Sequence, residues 1–433
     1  MAPGSGVVRR NLPQVPTYAD FFQRQKRPEP VRNWRAPDRE ARQSSQILNY
    51  EALQAPLAYG VLAIPARVFA SVALPKRVLI LRLIAGIGGA LLLYFASERL
   101  FRRLGMNAAY RNVALFCVFS SQMTWAALAH VGNDWLAVPL AVLLLASAID
   151  YDETLNVRSA AGMAVVLALG LLTKAYFLAF LPLAFGVCAV RRRWTDLWAG
   201  MAVVLALAGP WYVRNVARYG AISGMQESRA GMSVMSFHMA PLLSYPTLIY
   251  ANARAALWTG NNSFAAFSAH TLASVLFVWL AALALWAVTR HGRAEGIAVV
   301  YCALFAIALI YDSVLTHEYT HGAAQGPSPW YTQVLLAPVL GLAALGMERW
   351  RPGKTLASLL ALLFGYILAA TYLVKLIPLY SGFTARTTLA AIAELYGRRL
   401  ASVIANLNLV TLGAGWAVFF LAAGVAALAI ALP

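Results

Sequence analysis

Asp134 is the acid in "HVGNDWLAVPLAVLLLA", preceded by Gly132 and Asn133 and followed at once by an apolar run. A carboxylate there could hold an acceptor, position a metal ion or serve in an acid/base pair. It could equally cap a helix by accepting from free backbone N–H groups. Lys174, between "LALGLLT" and "AYFLAFLPL", stands at the tip of a short apolar hairpin. It suits either a phosphate at the membrane surface or a lysine that snorkels to the interface. In "GPWYVRNVARYG", Trp211 and Tyr212 fit an aromatic belt, with Arg214 and Asn215 after them. A guanidinium at that level binds phosphate bidentately, or simply meets a lipid headgroup. Arg82 lies four residues inside an apolar run and needs a partner, such as Glu51 or a lipid phosphate. Glu51 and Gln54 in "NYEALQAPLAYGVLAIP" stand where a polar segment gives way to an apolar one. His317, Glu318 and His321 in "THEYTH" have a spacing open to a cation, or form a solvated loop. No CxxC, phosphate-cradling GxxxxGK[ST] or GxSxG pattern occurs, so the chain carries no ATP-pump motif of its own.

The elements that must position these residues follow from composition. Of 433 residues, 61% are hydrophobic and 12% charged, where a soluble chain runs about half apolar and a quarter charged. That is the composition of a polytopic membrane protein. The net charge of +18 would suggest nucleic acid in a soluble chain, but Lys and Arg here collect in short connections between apolar runs. Cys117, Cys188 and Cys302 each lie inside such a run and read as buried small hydrophobes. Residues 1–50 hold no apolar core of signal-peptide length.

Apolar runs occur at 78–96, 112–131, 135–149, 159–173, 175–190, 197–213, 268–289, 296–311, 330–347, 355–374 and 408–432. A helix needs about 20 residues to cross a hydrocarbon core of about 30 Å, and only helices can span here. The expected fold is therefore all-α, with about eleven transmembrane helices plus interfacial ones. If the run at 78–96 starts outside, connections 97–111, 150–158, 191–196, 290–295 and 348–354 face the cytoplasm and carry 13 Lys and Arg. The short connections on the other face, 132–134, 174 and 312–329, carry one, Lys174. That asymmetry is the positive-inside pattern. The longer outer segments are 214–267, 312–329 and 375–407, so a site is expected at the outer face. Residues 1–52 read as an outer polar segment and 53–433 as the transmembrane domain. The stretch 53–74 reads as an interfacial helix with Pro56 in its first turn, although the nine Lys and Arg in residues 1–52 argue for the reverse topology.

The order of "NYEALQAPLAYGVL", "ERLFRRLG", "HVGNDWLAVPLAVLLLA", "GLLTKAYFLAFLPL" and "GPWYVRNVARYG", with the later "AQGPSPWYTQVLLAPVLGLAALG", resembles the GT-C glycosyltransferases over roughly residues 45–350. The bacterial members related to protein O-mannosyltransferases and to the lipid A aminoarabinose transferase are the most similar. The resemblance implies an inner-membrane (plasma-membrane) enzyme of the bacterial cell envelope. It would transfer a hexosyl or pentosyl group from a polyprenyl-phosphate carrier to a lipid, glycan or protein acceptor at the periplasmic or exterior face. Asp134 is similar to the family's acidic residue in the second outer connection, and with Glu51 is the candidate catalytic carboxylate. Arg214, and less surely Glu227 and Arg229, match places of carrier-phosphate or acceptor contact in the family, and Gln54, Lys174, Asn215 and Arg82 join them as candidate contacts to that phosphate. No nucleotide is needed, no metal ligands are assigned, and a divalent ion is left open.

Two departures stand out. Gln54 replaces the family's usual basic residue, and Ala55–Pro56 its paired prolines. The family's first helix and following acid have no counterpart before residue 50, where Asp20 and Glu29 are the available acids. A shortened family member is the expectation. A non-catalytic relative, and a lipid or solute transporter or flippase, are the alternatives.

Overall fold

A computed structural model of the chain describes residues 54–72, 74–220, 222, 244–248, 269–319, 329–383 and 389–432. Among the described residues every regular element is helical, as a chain without water for its backbone groups requires. Eight of these helices are long and apolar enough to cross a membrane. They correspond to eight of the eleven runs.

The other three runs form shorter helices. The run at 112–131 breaks at Ser121, whose backbone is extended (φ −72°, ψ 121°), into α3 (Ala108–Ser120) and α4 (Gln122–Leu128). Residues 159–173 lie mostly in α6 (Val157–Leu171), and 175–190 opens as a 3₁₀ segment, Ala175–Phe180, before α7 (Leu181–Val190). Ahead of these come α1 (Leu57–Val68) and α2 (Leu74–Arg103), and between α4 and α6 lies α5 (Asp134–Thr154). After them follow α8 (Trp194–Tyr219), α9 (Ala269–Ala287), α10 (Arg293–Tyr319), a 3₁₀ turn Pro329–Thr332 and α11 (Gln333–Glu348). The chain ends with α12 (Gly353–Ala370), a π-helical segment Thr371–Leu376, α13 (Ile377–Tyr380), α14 (Leu389–Arg398), α15 (Leu400–Val410) and α16 (Ala414–Ala431).

Helix α1 has 12 residues, about 18 Å at 1.5 Å per residue, too short to cross a core of about 30 Å. Pro56 stands at its N-cap. Helix extends into segments expected as outer loops: α8 runs to Tyr219, α10 to Tyr319, and α14 and α15 lie within or across 375–407. Apolar side chains continue the helical pattern past the polar residues used as boundaries. The run at 408–432 is interrupted before α16, where Gly413 takes φ +121°, a value only glycine adopts without strain.

The described residues fall into two compact units, those within 54–248, 269–364 and 428–432, and those within 365–427. The smaller has its own core of Ile377, Val403 and Leu407, and Asn406 Nδ2 donates to Ser381 O at 2.8 Å.

In the larger unit α5 and α11 are central: 89% and 78% of their apolar stretches are buried, against 28% for α2 and 22% for α8. Helix α5 packs on α2, α6, α10 and α11. The outer helices turn apolar side chains outward, among them Ile87, Phe95, Leu205 and Phe277. This inversion of a soluble surface is what lipid demands.

At the end with the basic connections, buried carboxylates take up those arginines. Asp150 pairs with Arg99 and Arg103. Asp152 accepts from Arg191 at 2.7 Å and Arg293 at 2.9 Å, tying α5, the end of α7 and α10 together. Glu295 holds Arg349 at 2.6 Å, and that bond raises the guanidinium above its ordinary range. Buried carboxylates left unpaired would cost several kcal/mol. The basic connections therefore knit the bundle end as well as marking a face.

Helices α9 and α11 meet closely at Gly346. A Cβ there would fall 2.4 Å from Ala282 O and 2.5 Å from Trp286 N. Because both obstacles are backbone, relief requires the helices to part, as at small-residue interfaces of membrane helices. Gly346→Ala is expected to destabilise the protein by about 3 kcal/mol, read as a lowered SDS midpoint in mixed-micelle unfolding.

Candidate active site

The tip between α6 and the Ala175–Phe180 turn is built by local hydrogen bonding. Thr173 N and Lys174 N both donate to Gly170 O at 2.8 Å, and Thr173 Oγ1 donates to Leu169 O at 2.7 Å. Gly170 also makes room for the Phe177 ring, which would lie 2.2 Å from a Cβ at that position. Lys174 leaves this turn in extended conformation (φ −155°, ψ 137°).

Its ammonium meets Asp134, the first residue of α5, as an ion pair. Lys174 is 7% exposed and Asp134 8%. So Lys174 does not snorkel, and the Asp134 carboxylate binds a cation rather than capping α5. Above the pair, Lys174 Nζ lies 4.3 Å from the Tyr331 ring centroid and 5.4 Å from that of Tyr176. Cation–π contact offsets part of the lost hydration. Tyr176 in turn packs edge-on to Phe305 of α10 at 5.2 Å, and Phe180 stacks on Tyr301 at 4.4 Å and on Phe305 at 5.4 Å. Thr124 Oγ1 donates to Gln333 Oε1 at 3.0 Å, joining α4 to α11 just past Tyr331.

Gln54 is brought to the same place. Asn133 Nδ2 donates to Gln54 Oε1 at 3.3 Å, next to Asp134, and Leu57 N donates to Leu172 O at 2.8 Å, docking the start of α1 on the end of α6. Helix α1 buries Ala58 and Leu62 against Ala85 and Trp135.

The other sequence candidates fall differently. Arg82 Nε donates to Ala129 O at 2.9 Å, placing a cation on a carbonyl at the end of α4. Arg214 is at the same end of the bundle, since Tyr212 Oη donates to Leu171 O at 3.0 Å. Its guanidinium lies 4.4 Å from the Trp211 centroid and donates to Asn215 Oδ1 at 3.1 Å. Asn215 is buried and reaches Ile222 O at 3.3 Å. Among the described residues neither Arg214 nor Asn215 bonds to the Asp134–Lys174 pair. Glu51, Glu227 and Arg229 lie outside the described residues, as do Asp20 and Glu29.

His317 is buried on the last turn of α10, while the side chains of Glu318 and His321 lie outside the described residues. Among the described residues no group of three His, Cys, Asp or Glu could hold a metal ion.

Tyr176 and Tyr331 were not singled out from sequence, because nothing marks an aromatic in an apolar run as the cover of a cation.

Fold and site together define a polytopic, all-helical membrane protein with a buried carboxylate–ammonium pair under aromatic cover at one end of its bundle, opposite the basic connections. No family model matches the chain, and no curated protein does. Among solved structures it is similar to the crystal structure of ArnT from Cupriavidus metallidurans bound to undecaprenyl phosphate, with a TM-score of 0.49 and 16% identity. The similarity covers 88% of this chain and 66% of that one, so the chain spans just under two thirds of that protein's length.

Proposed function

We propose that the protein is a membrane glycosyltransferase of the GT-C kind, moving a sugar from a polyprenyl-phosphate carrier to an acceptor at the outer face of a bacterial inner membrane. The observation that carries this reading is the Asp134–Lys174 pair, buried at the end of the bundle away from the basic connections. An ammonium has three N–H donors. One serves Asp134, leaving two for a phosphate that approaches past the Tyr331 ring. Undecaprenyl phosphate, the ligand named for the similar crystal structure, is a carrier of this chemical class.

In the proposed reaction an acceptor oxygen attacks the anomeric carbon, and the bond from that carbon to the phosphate oxygen breaks. The bonding pair leaves on the phosphate, where Lys174 neutralises it. A carboxylate takes the acceptor's proton, and Asp134 is the candidate within the described site. Gln54 and Asn133 line its edge. The activation arrives with the lipid, so no nucleotide site is required.

A transporter would need a polar route through the bundle. The central helix α5 carries no ionisable residue from Trp135 to Ile149, which does not favour that reading.

The test is transfer of label from radiolabelled polyprenyl-phosphate sugars to extracted envelope lipids, glycans and proteins by the purified full chain. Label reaching an acceptor supports the enzyme. No transfer from any of a panel of sugars, by protein that stays folded, turns the case to a non-catalytic relative.

A further inference from the structure

Tyr176 carries a polar atom that the fold leaves unused. Its hydroxyl is buried and has no hydrogen-bond partner among the described residues. Burying such an atom without a partner is costly, and folded proteins seldom leave one. The ring cannot swing away to find a partner. Phe177 stacks on it at 5.3 Å, Phe305 meets it edge-on at 5.2 Å, and Tyr331 at 6.2 Å.

The neighbourhood says what kind of group is missing. Tyr176 is two residues from Lys174, whose ammonium lies 5.4 Å from its ring centroid. Lys174 gives one N–H to Asp134 and lies against two ring faces, which leaves N–H donors for a ligand. What remains is a phenol O–H, which can donate, and ammonium N–H groups, which can only donate. The ammonium repels a cation, whereas an oxyanion finds several donors in a water-poor setting, where they are worth most.

We propose that Tyr176 donates its hydroxyl to an oxygen of the phosphoryl group that Lys174 neutralises, so that the two residues form an oxyanion site. This rests on the reading above that Lys174 meets the carrier phosphate. Tyr176 adds direction to it, because an ammonium attracts from any side while a fixed phenol selects one oxygen. The hydroxyl would also steady the charge that grows on the phosphate as the sugar leaves.

The test uses Tyr176→Phe in the full chain, with farnesyl phosphate, farnesol and inorganic phosphate as probes. Without ligand the variant is expected to unfold at the same temperature as the wild type or slightly higher, because an unpaired buried donor has been removed. Its affinity for farnesyl phosphate should fall about tenfold, equivalent to about 1.4 kcal/mol, and that for farnesol should not change. The same loss with inorganic phosphate upholds the oxyanion site; tighter wild-type binding of farnesyl phosphate than of inorganic phosphate assigns it to the lipid-linked group, and equal binding to free phosphate. Equal affinity of the two proteins for farnesyl phosphate, no binding of it by the wild type, or a lower unfolding temperature for the variant each overturns the assignment. None of these readouts is sugar transfer. A chain that transfers nothing yet shows the tenfold loss keeps the oxyanion site and loses the transferase reading. One that transfers sugar without that loss does the reverse.

Discussion

Asp134→Asn is expected to slow sugar transfer by about 10²–10⁴-fold, the range lost when a positioned proton acceptor is removed. The amide has nearly the carboxylate's shape, so the change is one of charge and basicity rather than volume. Two consequences follow at once. On the proposed reaction the acceptor hydroxyl loses the group that would take its proton, and Lys174 loses the counter-ion that holds its ammonium at the mouth of the tip. Single-turnover transfer separates them. A loss in the chemical step at saturating donor marks the missing base, and a rise in donor concentration at half-maximal rate marks a misplaced Lys174. Transfer within about threefold of wild type would remove Asp134 from the catalytic role.

Lys174→Met has its largest expected effect on stability. It leaves a carboxylate buried without its cation, a change that costs about 3–5 kcal/mol. Methionine matches the aliphatic stem and fits against Tyr176 and Tyr331, so the loss isolates the charge. In the double variant Asp134→Asn/Lys174→Met no uncompensated charge remains, and most of the stability should return while transfer stays absent. A mixed-micelle unfolding cycle of wild type, both single variants and the double reads the coupling. Additive losses in that cycle would mean that the two side chains are solvated independently rather than paired in a dry site.

Much of the site was legible one residue at a time. Asp134 and Lys174 stand out because ionisable groups beside apolar runs are expensive and need a reason. Their meaning was ambiguous, cap or base, phosphate contact or snorkel, since each alternative depends on what lies across space. The contact that pairs them joins residues separated by 40 positions. The Tyr331 cover comes from still farther along the chain. Arg82 shows the converse. Sequence offered Glu51 or a lipid phosphate, and the fold supplied a backbone carbonyl of α4, a partner with no side-chain signature.

By itself the sequence determined the solvent in which this chain lives and the secondary structure that follows. Apolar runs forbid exposed backbone groups, so helices form, and charges withdraw to the connections between them. The basic character of one set of connections is likewise written in composition. Only the tertiary structure decided which charges meet, because desolvation and pairing energies depend on neighbours brought from distant helices. It decided that the central helix is α5, that Gln54 reaches Asn133, and that Tyr176 lies beside Lys174 with its hydroxyl unsatisfied. Periodicity tells a residue which face it occupies, and packing alone tells it what stands opposite.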